Sequence, residues 1–146
     1  MPLDRTKYFT LIDKIVDIFS ITFGKDLLLV EKQIAIEHMG FFKMKYRYLP
    51  LEYDIVFEND RGLFSIDIYD DEGTHNILYR IEKFDSETTV ENVKNAAQIL
   101  KEVLKKNDFC FYLYRDEKWY KKKNQHYKRI KNWMKYMGDN DDETKK

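Results

Sequence analysis

At 146 residues the chain has the length of one ordinary domain, enough to bury a core without disulfides or metal. Hydrophobic residues at 43% permit that core, charged residues at 36% demand an ionic surface, and aromatics at 16% supply broad contact area. A single cysteine, Cys110, excludes an intramolecular disulfide and points to a reducing cytoplasmic compartment. Asp4, Asp13 and Asp17 stand where a signal peptide would be apolar, and no run approaches the ~20 apolar residues of a membrane span.

Asp4 is a candidate N-cap for a first helix. Tyr8, Ile12, Ile15, Phe19 and Phe23 recur at steps of three and four, and Gly24 follows as a stop. Residues 26–39 can be read as helix or strand, with strand character at 34–37. Phe42, Met44, Tyr46 and Tyr48 then alternate with Lys43, Lys45 and Arg47, the period of a half-buried strand, and Pro50 closes it. Tyr53, Ile55 and Phe57 alternate with Asp54, Val56 and Glu58. Beyond the turn Asn59-Asp60-Arg61-Gly62, Phe64, Ile66 and Ile68 alternate with Ser65, Asp67 and Tyr69. A second turn, Asp70-Asp71-Glu72-Gly73, leads to a strand with Ile77, Tyr79 and Ile81 inward. Strands joined by short turns predict an antiparallel meander.

Ser86 or Thr88 caps a long helix over 88–106, with Val90, Val93, Ala97, Leu100 and Leu104 as its buried stripe. Residues 109–114 read as a central or covered strand, with Cys110 as a small buried hydrophobe. Residues 115–118 turn the chain and Trp119-Tyr120 starts a short return strand. Asn124 then caps a last helix in which Tyr127, Ile130, Trp133 or Met134, and Met137 share a face, and Gly138 stops it. The predicted fold is α+β: an antiparallel meander of four or five strands packed against an N-terminal, a long central and a C-terminal helix. Residues 1–138 form one domain and 139–146 a polar, frayed tail.

Net charge is zero but unevenly spread. Residues 52–91 hold twelve acids against Arg61, Arg80 and Lys83, whereas 118–136 hold seven lysines and Arg129 with no acid. Once folded, the two runs either neutralise each other or form opposed patches. An acidic sheet face that steers a basic partner is one reading, and a solvated face that only keeps the protein soluble is the other.

Catalytic signatures are absent. His38, His75 and His126 are scattered, the acids around Asp70 lack calcium-loop spacing, and there is neither a phosphate loop nor a nucleophile elbow, so no metal or cofactor is expected. A strand-borne acid and lysine, Asp116-x-Lys118 with Asp67 as second acid, is a loose echo of a metal-dependent nuclease. A better rival is nucleic-acid binding by the basic segment, where Lys121, Lys122, Lys123, Lys128, Arg129 and Trp133 would contact phosphates and bases. A helix with its aromatics packed inward and its lysines wet explains the same residues.

The run from Tyr53 to Gly73, YDIVFENDRGLFSIDIYDDEG, resembles the acidic, aromatic hairpins of small bacterial immunity proteins that neutralise polymorphic toxins, and the likeness covers residues 42–82. It implies a cytoplasmic, non-enzymatic protein that binds a toxin domain and blocks its site. The basic C-terminal segment departs from a uniformly acidic immunity protein. From the acidic meander, the expected partner contacts are Asp54, Glu58, Asp67, Tyr69, Asp70 and Asp71, the acids meeting a basic cleft and the tyrosine serving as anchor.

Overall fold

The computed structural model describes residues 5–131. It is an α+β fold in which eight antiparallel strands form one open sheet in chain order. α1 (Arg5–Phe23) ends at Gly24, whose φ of +59° a side chain would resist, and a 3-10 turn (Gly24–Asp26) leads to β1 (Leu27–Ala35). β2 (Phe41–Tyr48), β3 (Tyr53–Asp60) and β4 (Leu63–Tyr69) form the regular meander. β5 (His75–Ile77) runs into a one-turn helix, α2 (Leu78–Ile81). α3 (Val90–Lys106) precedes β6 (Phe111–Arg115), β7 (Lys118–Lys123) and β8 (His126–Ile130).

Strand alternation sorts the side chains as the period demands. Phe42, Met44, Tyr46 and Tyr48 of β2 are buried, as are Ile55 and Phe57 of β3 and Phe64, Ile66 and Ile68 of β4. They meet Ile12, Ile15 and Phe19 of α1 and Val93, Ala97 and Leu100 of α3 in one core. Both long helices therefore lie on one face of the sheet. α3 is capped by Thr89, whose side chain accepts from the Asn92 N–H at 3.1 Å, one residue beyond the cap expected at Ser86 or Thr88. Asn59, buried on the core side, donates to the Gly40 carbonyl at 2.9 Å and accepts from the Thr88 hydroxyl, which ties the β1–β2 turn to the entry of α3. Gly40 is required at that turn. Its φ is +75°, and a Cβ there would sit 2.5 Å from the Tyr8 hydroxyl.

The structure corrects four expectations. The sheet has eight strands, not four or five. Strand structure covers 27–35 rather than 34–37; β1 is an edge strand, mostly exposed and bulged between Leu29 and Glu31, so alternation is weak there. Ile77, Tyr79 and Ile81 do not form an inward strand face. Instead β5 stops at Ile77, and Asn76 and Leu78 turn to the interior, where the Asn76 amide donates to the Cys110 carbonyl at 2.8 Å. Residues 124–130 are turn and strand, not helix: Asn124 and Gln125 both take left-handed φ values, 53° and 70°, and return the chain into β8. Trp133, Met134, Met137, Gly138 and the tail 139–146 lie outside the described residues.

Candidate functional site

The sheet face opposite the helices carries the outward residues. Across β2, β3 and β4 the register sets Arg47 beside Asp54 and Tyr69 in one row, Lys45 beside Val56 and Asp67 in the next, and Lys43 beside Glu58 and Ser65 in a third. These rows line a trough of about 510 Å³, walled at one end by Asp70, Asp71 and Gly73 and at the β1 side by Glu31 and Gln33. All six residues expected to contact a partner line it. Lys43, Lys45 and Arg47 were legible as an outward strand face, but only the register reveals that they stand against the acids.

The acids differ in what they already hold. Arg47 donates to Asp54 at 3.0 Å and to Asp71 at 3.1 Å, and Lys45 lies 3.9 Å from Asp54. Asp70 is built into its turn: it accepts the backbone N–H of Glu72 at 3.0 Å and of Thr74 at 3.1 Å, and Lys122 donates to it at 2.6 Å. Lys122 also donates to Glu72 at 2.8 Å, and the Tyr127 hydroxyl donates to Glu72 at 2.5 Å. Burial raises the Asp70 pKa, but the Lys122, Thr74 and Glu72 hydrogen bonds outweigh it and hold it below the ordinary aspartate value.

Glu58 and Asp67 stand apart, with no ion pair among the described residues. Asp67 is half-buried on β4 beside Val56, and burial, reinforced by the charge of Glu58 and opposed only by Arg80, pushes its pKa up to about 6. Tyr69, stacked on His75 with ring centroids 5.2 Å apart, is raised by burial and by the same two carboxylates.

The basic segment is divided by the strand period. Lys121 faces outward directly opposite Lys128, and neither has an acidic partner among the described residues. Lys122 points to the other face, buried in the Asp70–Glu72 pair, and Lys123 lies 3.0 Å from Asp108. Arg129 stands opposite Tyr120. The five described residues expected to touch nucleic acid are thus divided between the two sheet faces, Lys121, Lys123 and Lys128 on one and Lys122 and Arg129 on the other, and Trp133 lies outside the described residues. Asp116 sits in the β6–β7 turn, with β5 and β6 between that turn and Asp67 on β4, so the acid pair of a nuclease is not assembled. Among the described residues no group of three or more His, Cys, Asp or Glu is placed to hold a metal, and no helix is long and apolar enough to cross a membrane.

No protein-family model, curated protein or solved structure matches this chain.

Proposed function

We propose that this is a non-enzymatic, cytoplasmic binding protein whose outer sheet face takes a basic surface of another protein, in the manner of an immunity or antitoxin-like inhibitor covering a toxin domain. One observation carries the reading. Glu58 and Asp67 lie close together in a concave trough and neither is held in an ion pair among the described residues, although Lys43 and Lys45 share that trough, while every other acid expected to contact a partner has an ion pair from within the chain or is fixed in a turn. Asp67 left like this weakens the isolated protein, and a lysine or arginine from a partner relieves both its desolvation and its repulsion by Glu58. Tyr69 supplies an amphipathic ring beside them.

The test uses the tagged protein as bait in lysate of its source, wild type beside the Glu58→Gln/Asp67→Asn double variant, with nuclease treatment. Recovery of a basic protein that resists nuclease, weakens with salt and is lost in the double variant is the expected result. Equal recovery by both baits overturns the assignment of the trough.

A second reading rests on Lys121 and Lys128. Like charges directly opposite on a sheet are destabilising, and a nucleic-acid phosphate would offset them. Recovery that disappears on nuclease treatment and in Lys121→Gln/Lys128→Gln moves the function to β7 and β8.

A further inference from the structure

The eight strands are not equally joined. β3 and β4 share seven register pairs and β6 and β7 share five, but β5 and β6 share one, His75 with Tyr112. The sheet is thus a five-stranded unit, backed by both long helices, and a three-stranded unit attached through a narrow seam. Side chains do most of the joining. The Asn76 amide donates to the Cys110 carbonyl at the root of β6, and the Arg80 guanidinium lies 5.5 Å from the centre of the Tyr112 ring. At the other end, Lys122 of β7 reaches the β4–β5 turn, where its ammonium is held by Asp70 and Glu72, and Tyr127 of β8 donates to the same Glu72. The Lys122 and Asp70 side chains are only 7% and 9% exposed. A lysine so enclosed is kept charged by its acids, so the contact is an ionic clasp rather than a surface pair of little consequence.

The root of the three-stranded unit is anchored differently. Phe111 belongs to the main core and packs with Phe109 and Tyr53, whose hydroxyl donates to Asn107 at 3.0 Å. Among the described residues, an apolar root, a single backbone register pair flanked by the Asn76 and Arg80 contacts, and an ionic clasp at the far side are the parts of a hinge with a catch.

We propose that β6, β7 and β8 open as one unit from β5 while β1–β5 and the helices stay folded, and that the Lys122 clasp sets how often they do. Opening frees the carboxylates of Asp70 and Glu72, and Asp70 lines the trough. If the trough is the partner site, the clasp regulates how acidic that site is. The inference itself stands apart from that reading, because its test contains no partner.

The test is hydrogen exchange of the full chain under native conditions, at several urea concentrations below the unfolding transition. In the wild type, amides of 111–130 should exchange at least tenfold faster than those of β2–β4, with a weaker dependence on urea. Glu72→Gln and Lys122→Met should each raise exchange in 111–130 by a further tenfold or more and leave β2–β4 unchanged. Exchange of both regions at one rate with one urea dependence in the wild type overturns the proposal. So does a uniform rise across the chain in Glu72→Gln. Should Lys122→Met fail to fold, the wild-type and Glu72→Gln profiles still decide the question.

Discussion

Asp67 and Asp70 are three residues apart and both half-buried, yet their surroundings push them in opposite directions. Asp70 has a turn that feeds it two backbone N–H groups and a lysine from β7, so its charge is stabilised by folding. Asp67 has a carboxylate for a neighbour and no bonded cation, so its charge is opposed by folding. The first arrangement is how a protein uses an acid to hold itself together. The second is a group kept at a disadvantage in the isolated molecule, which structures retain where something else completes it. The contrast locates a binding site more sharply than the density of negative charge does, because half of the acids lining the trough are already paired within the chain.

The largest effect expected is at the clasp. Lys122→Met removes one partner of an enclosed pair and leaves Asp70 with backbone donors only. Urea unfolding should show a loss of about 3 kcal/mol, near the low end for breaking a buried pair, because two of the bonds to Asp70 survive. Acid should act on the same contact. Asp70 is held below its unfolded value, so its stabilisation is complete above the ordinary carboxylate range and disappears as pH falls through its lowered folded value. Between neutrality and that range Asp67 works in reverse. Its folded pKa is pushed up to about 6, so the folded state takes up a proton before the unfolded state does, and the contribution of this group to stability should rise as pH falls from about 7 towards about 4. His75, whose pKa burial lowers, opposes that rise over part of the same range. The wild-type curve minus that of Asp67→Asn isolates the aspartate and should climb on acidification. A difference that does not climb would remove the distinction between the two aspartates.

Asp67→Asn separates them by mutation. At pH 7 it should stabilise the fold by about 1–2 kcal/mol, less than the pKa displacement alone allows, because the amide needs hydration in the same half-buried place. The same variant should bind a basic partner about tenfold or more weakly, by titration calorimetry at low salt. Stability gained together with binding lost assigns the strain to function. Stability gained with binding intact makes Asp67 an incidental defect of the sheet.

Much of this arrangement was legible beforehand, and the reasons it was not all legible are physical. Helix α1, the buried stripe of α3 and the alternation in β2, β3 and β4 follow from periodicity with one wet face, where sequence and burial coincide. Asp54, Glu58, Asp67 and Tyr69 take the outward face for the same reason, and Asp70 and Asp71 stand in the turn expected after them. What alternation could not give was pairing. Whether Asp54 is free or bound depends on Arg47 lying opposite it, and whether Asp70 is free depends on a lysine 52 residues away. The last helix was expected because Tyr127, Ile130, Trp133 or Met134, and Met137 recur at steps of three and four; in β8 Tyr127 and Ile130 instead lie on opposite faces, the first exposed and the second buried. The turn that exposes the error is Asn124-Gln125, in which glutamine occupies a left-handed position that glycine usually marks.

Tyr46 provides a calibration for the comparison, since it is a polar group left without a partner in the interior. Tyr46 is 3% exposed and its ring stacks on Phe19 at 5.1 Å, while its hydroxyl makes no hydrogen bond among the described residues. Tyr46→Phe should stabilise the fold by about 1 kcal/mol, measured by urea unfolding, through removal of an unsatisfied buried group. Unlike Asp67→Asn, it should leave partner binding untouched, because it lies on the helix-covered face.

The smallest effect bears on the three-stranded unit. Asp116 and Glu117 take φ values of 52° and 60°, so the β6–β7 turn places two residues with side chains in the left-handed region, where each is disfavoured by about 1 kcal/mol. Glu117→Gly removes one such penalty but adds freedom to the unfolded chain, so a net gain of about 0.5 kcal/mol is expected. Where that gain appears is the informative part. If β6, β7 and β8 open separately, tightening their turn should slow hydrogen exchange across 111–130 by about twofold and leave the exchange of β2–β4 set by global unfolding alone. A gain spread equally over both regions would mean that the turn, the clasp and the meander unfold as one, and the clasp would then be a structural ion pair without a catch's function.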